Sequence, residues 1–208
     1  MRLALPALIA LAAVPALAQM PSAPPGSKST ASITAGTYTA DPNHTQVVWT
    51  LNHMGFSPYT GIFGDVSGTL TLDPKNLSAA TVSMTIPVAK VTTAGELSHH
   101  LLRPGKDGAK PDFFGASPAD ATFVSTRVVA TGMTATITGN LTLNGVTKPV
   151  TLAATFYGAG KAPAMMGGKV NVGFSATADI KRSDFGLGFG VPVVSDNVHL
   201  AIAAAFQK

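Results

Sequence analysis

Apolar and polar residues alternate with a period of two along most of the chain after residue 37. In residues 45–53 the odd positions, among them Val47, Trp49 and Leu51, share one face, because successive side chains of a strand point to opposite sides. The alternation returns in segments that begin near residues 62, 80, 121, 134, 146, 170 and 198. About eight such segments, joined mostly by short turns, predict an up-and-down antiparallel β-protein.

Two of these segments carry more detailed predictions. In residues 62–72, the alternation places Ile62, Gly64 and Val66 on one face and Phe63 on the opposite face. After the segment that begins at residue 134, Asn144-Gly145 predicts a tight hairpin, because both central residues of a type I′ turn need a positive φ.

Residues 96–103 are the one stretch that lacks β alternation and contains helix formers. Thr93 and Glu96 have the spacing of a capping box, in which two side chains satisfy free amides at a helix start. Pro104-Gly105 follows and predicts that the helix is short. Asp112-Phe113-Phe114-Gly115 is then predicted to be an aromatic loop.

Eight antiparallel strands with one apolar face each could form a sandwich or close into a barrel, and closure removes the unprotected edge strands. The apolar faces repeatedly use small residues, which leave space that larger side chains would fill: Gly64, Gly68, Gly139, Ala154, Ala176, Ala178 and Ala204. We therefore expect an elongated apolar cavity. The alternative is that the glycines only relieve crowding at barrel corners.

Composition narrows the function. Charged residues make up 12% of the chain, about half of the roughly 25% found in ordinary globular proteins. The net charge of +4 is spread without a Lys/Arg cluster, which argues against a nucleic-acid partner. The chain has no cysteine, which excludes disulfides and thiolate metal sites.

The N-terminal residues predict export. Residues 1–18 combine a basic start, an apolar run and the small-x-small triplet Ala16-Leu17-Ala18, which is the pattern of a cleaved secretory signal. A buried N-terminal helix is the alternative. Residues 19–36 are rich in Pro, Ser, Ala and Gly, and we expect a flexible leader before a domain over residues 37–208. The predicted location is the periplasm.

A series of short motifs, in their order and spacing, resembles the secreted YceI-like, polyisoprenoid-binding proteins. The motifs are Asp41-Pro42-x-His44-Thr45, His53-x-Gly55-Phe56, Gly61-x-Phe63, His100-Leu101-Leu102-Arg103, Asp112-Phe113-Phe114, Ala121-Thr122-Phe123, residues 139–150, residues 182–187 and Ser195-Asp196-x-Val198. Two stretches depart from the family pattern, namely residues 104–110 as an insertion and residues 117–120 before the next strand. Both lie where, by resemblance, helix and loops cover the barrel mouth.

The resemblance implies an all-β fold, an eight-stranded antiparallel lipocalin-like barrel with one short helix near its mouth. It also implies a binding or carrier protein for a long-chain amphiphile, such as an isoprenoid lipid, a quinone or a fatty-acid derivative, with no cofactor. Transient membrane contact and a homodimer are further expectations of the resemblance.

Aromatic and polar residues near the predicted cavity are the candidate ligand-binding residues, although aromatic residues on strand faces are also ordinary core residues. The candidates are Trp49, His53, Phe56, Phe63, Leu101, Phe113, Phe114, Phe123, Leu141, Phe174, Arg182 and Phe185. His53 and Arg182 are candidates for contact with a polar head group. Alternatively, Arg182 and Asp184 form a surface pair that shapes a tight turn.

Other functions have weaker support in the sequence. The adjacent residues His99 and His100 point apart on a helix, and His44 and His53 lie nine positions apart along a strand. A metal-assisted hydrolase using His44 or His53 is therefore a minor alternative, and no motif of a catalytic serine is present. The main alternative to the carrier is a ligand-free structural barrel that partners a membrane redox protein.

Overall fold

Eleven strands, one short α-helix, α1 (Leu97–Leu102), and five short 3₁₀ helices make up the regular structure of the described residues. The computed structural model describes residues 22–208, so the predicted signal sequence lies outside the described residues. The strands are β1 (Gly36–Ala40), β2 (Gln46–His53), β3 (Ser57–Phe63), β4 (Ser67–Leu72), β5 (Thr81–Ile86), β6 (Thr92–Thr93), β7 (Ala121–Thr131), β8 (Thr134–Leu143), β9 (Val146–Lys161), β10 (Val170–Lys181) and β11 (Asn197–Gln207).

Eight of these strands close into an antiparallel barrel in the order β1-β4-β5-β7-β8-β9-β10-β11. Pairing of Thr39 with Gln207 and of Ala40 with Phe206 joins the last strand to the first. The remaining strands β2, β3 and β6 continue the sheet from the other half of β11, where His199 pairs with Thr50. The predicted eight-stranded antiparallel barrel with one short helix is therefore confirmed.

The turns and loops divide between the two ends of this barrel. The mouth end carries α1, the β2–β3 turn (residues 54–56), the β8–β9 turn at Asn144-Gly145 and the β10–β11 loop (residues 182–196). The far end carries residues 22–35, the β4–β5 connection (residues 73–80), the β7–β8 turn (residues 132–133) and the β9–β10 loop (residues 162–169). Asn144 and Gly145 both have positive φ, at 52° and 76°, as the hairpin prediction requires.

A bend between β3 and β4 overturns the predicted face of residues 62–72. Gly64, Asp65 and Val66 separate the two strands, and Asp65, with a φ of 53°, acts as one extra residue in the alternation. Both Phe63 and Val66 consequently face the barrel interior, whereas Ile62 is 37% exposed. The prediction that Ile62 and Gly64 share the inner face was wrong, because one inserted residue transfers every earlier side chain to the opposite face.

The predicted capping box at α1 is also wrong. Glu96 is the N-cap residue, and its side chain makes no capping hydrogen bond. Thr93 belongs to β6, where its hydroxyl donates to the Thr60 carbonyl at 2.8 Å. Instead, the Ser98 hydroxyl accepts a hydrogen bond from the Thr93 N–H at 2.9 Å. Thr93 cannot cap the helix because its side chain already bonds the neighbouring strand.

Arg182 holds the β10–β11 loop together from the inside. Its side chain is 5% exposed, and its guanidinium donates to the carbonyls of Ser195 (2.9 Å), Val194 (2.9 Å), Phe189 (2.8 Å) and Leu187. Burial lowers the pKa of Arg182, and the nearby Asp196 carboxylate opposes that shift. The predicted surface pair of Arg182 with Asp184 is wrong, because the guanidinium is turned inward and its donors go to the loop backbone.

Replacement of Arg182 by methionine tests this role. The variant Arg182→Met leaves four loop carbonyls, one buried and three partly buried, without their donor, so we expect the free energy of unfolding to fall by roughly 3 kcal/mol. Urea denaturation followed by circular dichroism measures the change. The control Lys181→Met alters an exposed neighbour, for which we expect a change within about 0.5 kcal/mol. Similar unfolding midpoints for the two variants would contradict the assigned role.

Asp196 makes the same loop sensitive to acid. Its pKa is lowered chiefly by the hydrogen bond from the Ser183 hydroxyl (2.7 Å), with further contributions from the Ser183 N–H and from Arg182. A carboxylate whose pKa is lower in the folded state stabilises the fold above its unfolded pKa of about 3.9, and this contribution is lost as the pH falls through the folded pKa. We expect the stability of the unmodified protein to fall more steeply below about pH 4 than that of Asp196→Asn. Parallel pH profiles for the two proteins would refute this.

Candidate functional site

An apolar cavity of about 650 Å³ runs through the interior of the barrel. Its lining extends from Leu97, Leu101 and Phe113 at the mouth end to Ile33 and Met133 at the far end. This volume lies within the roughly 300–1,000 Å³ that is usual for small-molecule sites. Because the cavity extends between loops at both ends of the strands, its shape suits an elongated ligand.

The strands build this cavity from their inward positions. The predicted inner face of residues 45–53 is confirmed, since Val47, Trp49, Leu51 and His53 of β2 line the cavity together with Thr45, which directly precedes the strand. The inward residues of the other strands are mostly aliphatic. They include Leu70, Leu72, Val82, Met84, Ile86, Val128, Ile137, Val150, Leu152, Ile180, Leu200 and Ile202. Few polar side chains reach the lumen, so the site offers a ligand mainly dispersion contacts and water exclusion.

The structure brings most of the sequence-predicted site residues together around this cavity. Those that line it are Trp49, His53, Phe63, Leu101, Phe113, Phe114, Phe123, Leu141, Phe174 and Arg182. Direct contact of these residues with a ligand stays a prediction. For Arg182, all the guanidinium bonds described above go to loop carbonyls.

Two predicted site residues lie elsewhere. Phe56 is 82% exposed at the end of the β2–β3 turn, where the positive φ of Met54 and Gly55 carries the chain away from the lumen. Phe185 is only 1% exposed and packs in a core cluster with Phe123. Its carbonyl accepts a hydrogen bond from the Asn144 side chain at 3.0 Å, which fixes the loop against the β8–β9 turn.

Sequence reasoning identified Leu101, Phe113 and Phe114 but missed other cavity residues that lie outside the strands. Leu97 on α1 and Phe189 in the β10–β11 loop line the mouth end, and Thr30 and Ile33 line the far end. No periodicity marks such positions, because loops have no repeating face. A single Ile within a polar leader was the only available signal for Ile33.

Glycines give the aromatic wall residues room to lie flat. Gly61 pairs with Trp49 across β2 and β3, and a Cβ on Gly61 would overlap the indole ring. A Cβ on Gly139 would likewise overlap the ring of Phe123. At these two positions the glycines accommodate aromatic rings against the wall, whereas Ala154, Ala176 and Ala204 line the cavity directly.

Two polar atoms near the mouth end are buried without a hydrogen-bond partner among the described residues. They are Nε1 of Trp49 and the hydroxyl of Tyr59, whose rings pack edge to face with centroids 5.1 Å apart. Burial raises the pKa of the Tyr59 hydroxyl. The His53 ring centroid lies 6.4 Å from that of Tyr59. This is the most polar part of an otherwise apolar lining.

Three of the five histidines each pair with one carboxylate. His44 lies 2.7 Å from Asp41, His199 lies 3.0 Å from Asp179, and His99 lies 3.2 Å from Glu96. Within residues 22–208, no group of three or more metal-ligating side chains is placed to hold a metal ion. In that same part of the chain, no helix has the length and apolar character needed to cross a membrane.

Comparisons with known proteins agree with this architecture. The family described as YceI-like domain matches residues 38–206. Protein YceI of Salmonella arizonae is 40% identical over 179 residues, which are 84% of this chain and 88% of that protein. The crystal structure of a Campylobacter jejuni YCEI protein superimposes with a TM-score of 0.61 at 31% identity, covering 76% of this chain and 89% of that chain.

A more distant structure shares the fold alone. It is described as a polyisoprenoid binding domain from Saccharophagus degradans implicated in plant cell wall breakdown. The superposition has a TM-score of 0.57 at 15% identity and covers 82% of this chain and 97% of that chain.

The position of the single tryptophan allows a test of the cavity wall. In Gly61→Ala, the new methyl group displaces the indole of Trp49 into the lumen, and overpacking of this kind costs about 1–3 kcal/mol. We expect a shifted tryptophan emission maximum and a lower unfolding temperature. The matched control is Gly64→Ala, where a Cβ meets nothing within 4 Å. Unchanged emission in Gly61→Ala would show that the indole does not lie over Gly61.

Proposed function

The chain belongs to the YceI-like family, and we propose that it binds one long-chain amphiphile inside its barrel. The ligand classes we propose are an isoprenoid lipid, a quinone or a fatty-acid derivative. The observation that carries this proposal is the continuous apolar cavity of about 650 Å³. We also propose that the protein acts as a carrier rather than as an enzyme.

The energetics of burial support a chain-like ligand. Each methylene removed from water contributes about 0.8 kcal/mol, so ten buried methylenes contribute about 8 kcal/mol before the entropic cost of association. Such a ligand needs few polar contacts to be held. Selectivity then depends on shape and length, because one methylene more or less changes the affinity little.

The distribution of polar groups favours a head group at the mouth end. Among residues 22–208, Nε1 of Trp49 and the Tyr59 hydroxyl are buried without a hydrogen-bond partner, and the His53 ring lies beside Tyr59. A buried unpaired donor costs roughly 1–3 kcal/mol, so an acceptor oxygen on the ligand would gain from reaching this region. The far end offers apolar walls that suit the tail, and these include the packed rings of Phe156, Phe174 and Phe206.

We further propose a periplasmic location and transient contact with a membrane. The secretory-signal pattern of residues 1–18 supports the location. Exposed apolar side chains at the mouth end support the contact, namely Met54 and Phe56 of the β2–β3 turn with Val191 and Val193 of the β10–β11 loop. The backbone bridge between His53 and Val194 places these two segments side by side. A homodimer stays a prediction.

The first experiment is native mass spectrometry of gently purified protein, followed by organic extraction and identification of the released lipid. We expect one long-chain species per barrel. The variant Ala176→Phe fills the lumen and abolishes retention, whereas Thr177→Phe, on the outer face of the same strand, retains the lipid. Ligand-free protein that takes up no added isoprenoid, quinone or fatty amide would instead favour the structural barrel.

A further inference from the structure

The segment before β1 is attached to the barrel at the far end. Ser27 exchanges two backbone hydrogen bonds with Ala159 of β9, one of 3.0 Å and one of 2.8 Å. At this point β9 extends beyond the start of β8, since the last β8 pairing is between Thr134 and Thr155. Ser27 therefore occupies a strand edge that β8 leaves open, and it satisfies backbone groups that would otherwise lack a partner in the sheet.

Two glycines of β9 allow this segment to pass close to the sheet. A Cβ on Gly160 would overlap the carbonyl oxygen of Pro25, and a Cβ on Gly158 would lie 3.0 Å from the carbonyl oxygen of Ser27. Neither glycine has a φ in the left-handed region. Local backbone conformation therefore does not require glycine here, whereas close approach of the passing chain does.

The same segment then turns into the lumen. Ile33 packs against the buried core that contains Tyr38, and both Thr30 and Ile33 line the cavity. The Tyr38 hydroxyl donates to the Thr34 carbonyl at 2.7 Å and accepts from the Thr34 N–H at 3.0 Å. The Lys208 ammonium adds a hydrogen bond to the Ala35 carbonyl at 2.7 Å. These contacts fix residues 25–34, which we call the leader strap, across the far end.

We propose that the leader strap is a specificity element that closes the far end of the cavity and limits the length of the bound chain. This inference rests on the proposed function for the identity of the cargo, but closure itself can be tested without a ligand. A segment expected from its composition to be a flexible leader thus forms part of the binding site. Its register is set by Gly158 and Gly160.

The variants that test the proposal differ by one methyl group. Gly160→Ala places a methyl group in the path of the strap and is expected to displace it. Gly173→Ala is the matched control, because Gly173 pairs with Gly158 on the adjacent strand and its Cβ would meet no atom closer than 3.6 Å. Hydrogen exchange at residues 25–34 reports displacement, and we expect faster exchange only in Gly160→Ala.

Closure is measured with a thiol inside the cavity. The chain has no cysteine, so Ala135→Cys provides a single thiol on the cavity lining near the start of β8. We expect dithiobis(nitrobenzoate) to modify this thiol at least tenfold faster in the Gly160→Ala background than in the Gly173→Ala background. Equal rates in the two backgrounds, with the strap shown to be displaced, would overturn the proposal.

Length selection is measured with a homologous series of saturated fatty amides, followed by the fluorescence of Trp49. The unmodified protein and Gly173→Ala should share one upper length limit, and Gly160→Ala should accept longer amides. An unchanged limit would overturn the strap proposal while leaving the carrier function intact. If no amide, isoprenoid or quinone binds to any of the proteins, the carrier function fails, and the thiol rates still decide whether the strap closes the barrel.

A second variant is needed if Gly160→Ala keeps the strap in place. Deletion of residues 25–34 removes the contacts altogether and should raise the thiol rate and the length limit together. A folded deletion variant with the thiol rate of the full chain would overturn the proposal.

Discussion

Closure of the β-sheet is the constraint on which the rest of this structure depends. Once β1 pairs with both β4 and β11, every strand of the barrel has a partner on each side. The diameter of the lumen is then set by the number and tilt of the strands and not by the side chains that fill it. The side chains at the inner positions of this chain are too small to fill that lumen. The volume that they leave empty is the cavity. The binding site is thus a direct consequence of the mismatch between barrel diameter and side-chain volume.

The segments at the two ends of the barrel obtain their hydrogen-bond partners in different ways. A β-barrel satisfies its strands internally, but the loops at its ends must find partners of their own. At the mouth end, the buried guanidinium of Arg182 satisfies the carbonyls of the β10–β11 loop. At the far end, backbone hydrogen bonds between Ser27 and Ala159 satisfy polar groups of the segment that leads into β1. Both solutions leave apolar side chains free to face the lumen.

Glycine has one recurring role in this wall. Gly61 lies under Trp49, Gly139 lies under Phe123, and Gly158 and Gly160 lie under the leader strap. In each case the missing Cβ allows another group to approach the sheet closely. Glycine is therefore needed at these positions for space, and not for an unusual φ angle. The prediction that glycines leave the lumen open is therefore corrected at Gly139, where the ring of Phe123 occupies the space.

The sequence alone determined the fold class, the hairpin at Asn144-Gly145 and the apolar inner face of β2, since strand alternation and turn chemistry are local properties. It also identified the aromatic lining residues Trp49, Phe123 and Phe174, because they occupy inward positions of regular strands. Only the tertiary structure decided the faces on either side of Asp65, where one residue inverts the alternation. It alone showed the burial of Arg182 and the position of the strap. These depend on contacts between segments far apart in the chain, such as residues 27 and 159, which no local pattern records.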